Sequence, residues 1–129
     1  MDAQRLKRLT KLVKVQRQVQ ALHETRHATH IANANSAERE AHELIEGFDR
    51  GTPVSELFPD IYHQRISRAF AARDEQQSLA RDEAARTVAA TLRADKVDEA
   101  RRLAGRAIEE KDEQRNRLEH AARRNHGAK

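Results

Sequence analysis

Apolar residues return at helical spacing through the first third of the chain. Leu12, Val15, Val19 and Leu22 stand at intervals of three, four and three, which places them on one face of a helix. Twenty-two residues further on, Ala34, Ala37, Ala41 and Leu44 repeat the set. That step is two eleven-residue repeats, so the stripe is expected to run nearly straight along the axis rather than in strict heptads. One such repeat after the first set come His23, Arg26, His30 and Asn33, so the middle of the stripe is polar. Asn33, Asn35 and Ser36 are poor helix-interior residues, and a kink or fray is expected at 30–36.

The chain breakers are concentrated in one place. Gly47, Gly51, Pro53 and Pro59 fall within the segment around GFDRGTPVSELFPD, and the other glycines are Gly105 and Gly127. Pro59 and Asp60 suit a helix start, because proline loses nothing in the first turn and an acid favours the positive end of the helix dipole. Helix one is therefore expected over roughly 3–48, a tip over roughly 49–59 and helix two over roughly 60–125, with lengths of about 70 and 100 Å. Helix two carries Tyr62, Ile66, Phe70, Leu79, Val88, Leu92, Val97, Leu103 and Leu118 with alanines between. Folding back at about residue 54 sets Phe48 beside Ile61, Leu44 beside Ile66, Ile31 beside Leu79, Leu22 near Val88, Val19 near Leu92 and Leu6 near Leu103, large residues meeting large. The expected fold class is all-α: two long helices in an antiparallel coiled-coil hairpin, the second helix longer, forming one extended rod over residues 1–129. Residues after about 107 overhang with few apolar anchors.

Composition narrows the class. Of the 129 residues 36% are charged, and Leu, Ile, Val and Phe number 24 against 22 alanines, too few large side chains for an ordinary compact core. Helix formers dominate and net charge is only +4, which argues against a disordered chain. No apolar run is long enough to span a membrane. The absence of cysteine removes disulfides and thiolate chemistry and fits a cytoplasmic setting. Basic residues are threaded through the apolar ones of the opening MDAQRLKRLTKLVKVQ, which is therefore not read as a signal peptide.

Charge is unevenly placed. Residues 1–20 hold Arg5, Lys7, Arg8, Lys11, Lys14 and Arg17 against Asp2, whereas 38–60 hold seven acids against Arg39 and Arg50. The open end of the hairpin is expected to be basic and the tip acidic. Glu113 to Arg117 and Glu119 to Arg123 have i,i+4 spacing on an otherwise solvated face.

Few motifs carry chemistry. His23-Glu24-Thr25-Arg26-His27 is a literal H-E-x-x-H, and His30 follows one turn later, so two or three imidazoles could share a helix face with a metal. Metzincin spacing wants Gly at 30 and His at 33, where the chain has His30 and Asn33, and two thin helices offer no water-excluding cleft. The histidines are read as polar seam residues, with no metal, cofactor or catalytic residue assigned. No phosphate-binding glycine loop, nucleophile elbow or dinucleotide fingerprint occurs, and enzyme activity is not expected. A high isoelectric point invites a nucleic-acid reading, yet Leu6, Leu9 and Leu12 interleave the basic residues and no aromatic RNA-binding signature is present. Neither nucleic acid nor a small-molecule substrate is expected. A membrane-surface helix at 3–22 would lack Trp and Phe anchors.

In its opening RLKRLTKLVKVQRQVQAL, with spaced Leu6, Leu9, Leu12 and Val19 and basic Lys14 and Arg17, the chain resembles the FliJ family of flagellar and type III export proteins. The shorter first helix, short tip and longer second helix are similar to that family's architecture. The resemblance implies a non-enzymatic cytoplasmic component of the flagellar type III protein export apparatus. Such a component acts as a stalk of the export ATPase and contacts the export gate protein and export chaperones, reaching the inner membrane through partners only. Arg5, Lys7, Arg8, Lys11 and Lys14, joined by Arg101, Arg102 and Arg106, are the expected partner-binding surface, suited to an acidic ring lumen. A generic helical-hairpin adaptor or scaffold is the first alternative, and a basic nucleic-acid-binding helical protein the second.

Overall fold

The computed structural model describes residues 2–127. Among them every regular element is helical: α1 spans Asp2–Asp49, α2 spans Pro53–Leu57 and α3 spans Pro59–Gly127. The long helices α1 and α3 pack against each other, and the chain divides into two compact units, one of residues 20–89 and one of 1–19 with 90–129.

In the unit of residues 20–89, α1 turns inward Gln20, His23, His27, His30, Ala34, Ala37, Ala41, Leu44 and Phe48. The facing stripe of α3 is Tyr62, Ile66, Ala69, Arg73, Gln76, Ala80, Glu83 and Thr87. Both stripes step by three and four without interruption, the heptad spacing of a coiled-coil seam. The helices run antiparallel, since His23 meets Glu83, His30 meets Gln76, Glu38 meets Arg73, His42 meets Phe70 and Phe48 meets Tyr62. The anticipated fold-back register holds to within a few residues. Its centre is made of alanine: Ala34, Ala41, Ala69 and Ala80 are buried, and small side chains let the backbones approach closely at little apolar area per residue.

The tip belongs to this unit and is held by local bonds. Gly51 takes a positive φ of 67°. Thr52 caps α2, its hydroxyl accepting from the Ser55 backbone N–H at 3.2 Å, while the Ser55 hydroxyl donates to the Thr52 carbonyl at 2.8 Å. The Phe58 N–H closes α2 on the Val54 carbonyl at 2.9 Å, and Phe48 packs against Tyr62 and His63 with ring centroids 6.0 and 5.0 Å apart. A side chain at position 51 would meet Glu56 only at ordinary contact distance, so its penalty comes from the backbone. Gly51→Ala is expected to cost about 1 kcal/mol in chemical denaturation, the price of a left-handed conformation for an L-residue.

In the unit of residues 1–19 and 90–129, Leu6, Leu9, Val13 and Gln16 of α1 face Ala90, Ala94, Val97, Arg101, Ala104 and Ile108 of α3, again in heptads. Leu6 lies 4.0 Å from where a Cβ on Gly105 would be, Arg17 bonds Asp95 at 2.9 Å, and Lys111 pairs with Asp2. Beyond Ile108 the described residues are all exposed, as the scarcity of apolar anchors there implied. Glu113 and Arg117 do form their i,i+4 pair, at 3.6 Å.

Three expectations need correction. The seam is heptad, not eleven-residue. Stepping back 21 from Ala41 reaches Gln20, whereas stepping back 22 reached Val19, and this one-residue phase error turns Leu12, Val15 and Leu22 outward, where they are exposed. For the same reason most of the expected large-to-large pairs are missing, since Ile31, Ile61, Leu79, Val88, Leu92 and Leu103 are all exposed. Leu44 and Ile66 do lie on the facing stripes, and Phe48 meets Tyr62 rather than Ile61. No kink interrupts 30–36, because Ala34 and Ala37 hold the seam there and Asn33 donates to Gln76 at 3.4 Å.

Candidate docking surfaces

Arg5, Lys7, Arg8, Lys11 and Lys14 are exposed on α1. Among the described residues none of these five makes an ion pair with an acid. Their heptad positions explain it: the seam takes Leu6, Leu9 and Val13, and the cations fill the positions between, pointing to water. The contribution of α3 is different. Arg101 is half-buried in the seam and donates to Asp98 at 2.9 Å, and Arg102 pairs with the other oxygen of the same carboxylate at 2.8 Å. The Arg101 hydrogen bond, reinforced by the charges of Arg102 and Arg17, holds the Asp98 carboxyl below its ordinary value against a smaller opposing effect of burial. Arg101, Arg102 and Arg106 line one shallow groove with Gly105 and Glu109. The expected surface is therefore one unit's property, but Arg101 and Arg102 are already engaged. The five α1 cations and Arg106 make no ion pair among the described residues, and the charge of Arg5 is felt by Asp2.

The histidines of the H-E-x-x-H lie in the other unit. His23, His27 and His30 fall on successive seam positions. The His23 Nδ1 is 2.6 Å from Glu83 Oε2, and Arg86 donates to Glu83 Oε1 at 2.9 Å. Glu83 is buried, its side chain 5% exposed, and the His23 bond foremost, then Arg86, lowers its carboxyl pKa despite desolvation. His30 Nδ1 lies 2.7 Å from Gln76 Oε1. Glu24, the acid of the motif, is exposed and accepts from Gln20 at 3.2 Å. His23 and Glu24 of the motif thus serve hydrogen bonds across and along the helices, and among the described residues no group of three or more acids or histidines is placed to hold a metal.

A third surface escaped the sequence reading. At the tip Val54, Leu57, Phe58 and Ile61 are 57%, 73%, 51% and 50% exposed, four large apolar side chains within eight residues. Their i, i+3, i+4, i+7 spacing was the available signal, hidden by the prolines that mark the segment as a turn. The acids Glu46, Asp49, Glu56 and Asp60 accompany them, with Arg50 paired to Glu46 at 3.5 Å.

No described helix is long and apolar enough to cross a membrane. In comparison with protein-family models, curated proteins and solved structures, the chain matches none.

Proposed function

We propose that the chain is a non-enzymatic helical-hairpin component of the flagellar type III protein export apparatus, working as a stalk of the export ATPase and contacting the export gate or chaperones. The observation that carries the proposal is the set of exposed, unpaired cations Arg5, Lys7, Arg8, Lys11 and Lys14 on α1. Five cations on about two and a half helical turns create a local positive field that steers an acidic partner and weakens with salt. The packing of α1 on α3 supports the same reading, since a protein that works by presenting helix faces needs no enclosed site. The export assignment itself rests on the resemblance of residues 5–22 to the FliJ family.

Co-purification with the flagellar export ATPase of the same genome tests it, with ATPase rate as a second readout. Binding and stimulation are expected, both lost when Arg5, Lys7, Arg8 and Lys11 are reversed to Glu. These side chains are exposed, so helix content should be unchanged in the variant. Failure to bind at about 10 µM in low salt would leave a hairpin adaptor with a different acidic partner.

A further inference from the structure

The tip spends four large apolar side chains on solvent while the buried core of the same unit is alanine. That distribution is unfavourable for an isolated tip, and exposed large apolar side chains gathered in a short charged segment are the usual material of a protein contact. The tip is also well built, with Gly51, the Thr52 cap and the Phe48–Tyr62 contact fixing the turn, so the patch is a presented surface. Its chemistry specifies the occupant. Glu56 and Asp60 lie between the apolar residues in sequence, so the complementary surface must be basic and carry apolar anchors of its own. The chain contains such a surface on α1, where exposed Leu12 and Val15 share a helix face with Arg8 and Lys11, cations that make no ion pair among the described residues.

We propose that the acidic apolar tip of one copy, centred on Leu57 and Phe58, docks on the basic apolar face of α1 in a second copy, around Lys11, Leu12 and Val15. Because this contact joins two different patches, it is heterologous, and copies can close into a pair or add head to tail. Four half-exposed side chains fall well short of the roughly 1,200–2,000 Å² buried in a stable interface, so the association is weak and salt-sensitive. It would occupy the cations offered to an acidic partner, and partner binding and self-docking would then compete. The inference does not depend on the export reading, because it requires only two surfaces of this chain.

Sedimentation of the full chain from about 5 to 300 µM, in about 50 and 500 mM salt, gives the test. Average mass is expected to rise with concentration in low salt and return to that of one chain in high salt. Leu57→Ser with Phe58→Ser, both exposed positions, should abolish the rise while leaving helix content intact. Glu56→Lys with Asp60→Lys should abolish it too, as should Arg8→Glu with Lys11→Glu, and mixing these two charge-reversed chains should restore association. A chain that stays monomeric throughout overturns the proposal and assigns the tip to a foreign basic helix. Association that survives the Leu57 and Phe58 substitutions, or ignores salt, overturns it as well.

Discussion

Ala94→Leu is expected to destabilise the protein by about 1–3 kcal/mol, because the larger side chain has no space at a fully buried seam position. Ala94 has no exposed surface, and it sits between Ala90 and Val97 on the stripe that faces Val13 and Gln16. A leucine there must push the backbones apart or leave its preferred rotamer, and the cost is not recovered elsewhere in a seam so poor in large side chains. For a chain of this size the melting temperature should fall by roughly 3–6 °C for each kcal/mol. The contrasting variants are Leu12→Ser and Leu22→Ser. Had the straight eleven-residue stripe been the seam, each would remove a core leucine at a cost of about 2–5 kcal/mol. With both leucines exposed on the flank, each should stay within about 0.5–1 kcal/mol of the parent. Thermal melts of the three variants followed by helix content decide between the two phases. A large loss in Leu12→Ser together with a neutral Ala94→Leu would reverse the assignment.

That contrast also shows where sequence reasoning was sufficient. Gly51, Pro53 and Pro59 located the tip because glycine and proline act locally, through backbone conformation and a missing N–H. The ends of α1 and α3 therefore fell within a residue or two of expectation. The fold-back register was equally legible, since it follows from where the tip lies. The rotational phase of the helices was not legible in the same way. Over about three turns the sets Leu12, Val15, Val19, Leu22 and Val13, Gln16, Gln20, His23 differ by one position, and hydropathy favours the first. Phase is instead set by the whole seam. Within residues 1–19, Leu6 and Leu9 keep heptad spacing only with Val13 and Gln16, and within residues 20–89 Ala34, Ala37, Ala41, Leu44 and Phe48 do so only if Gln20 and His23 face inward. Once they do, partners on α3 are needed, and Glu83 supplies one to His23. The basic residues of α1 were legible as a surface because charge between seam positions has nowhere to go but water. The pairing of Arg101 and Arg102 with Asp98 was not legible, because it depends on rotamers that spacing alone does not give.

The buried Glu83 should make the hairpin acid-sensitive. Its carboxyl pKa is lowered from an ordinary value of 4.5, chiefly by the bond to His23 and then by that to Arg86. Asp98 and Asp2 are lowered from 3.8 by Arg101 and Lys111 respectively. A carboxyl that binds its proton less tightly in the folded chain than in the unfolded one stabilises the fold above its unfolded value. That contribution is complete above about pH 5, declines as the unfolded state begins to take up protons, and is gone once pH falls below the folded value. Denaturation midpoints are therefore expected to be flat in this respect near neutrality and to drop as pH falls below about 5. Glu83→Gln keeps the shape of the side chain but cannot ionise. It should be less stable than the parent at pH 7, where the carboxylate's bonds to His23 and Arg86 are at full strength. It should also lose a smaller share of its stability on acidification, so the two curves converge at low pH. Glu24→Gln provides the comparison, an exposed acid one residue from His23 whose removal should leave the acid limb unchanged. If the parent and Glu83→Gln curves ran parallel across the acid range, Glu83 would contribute through packing rather than charge.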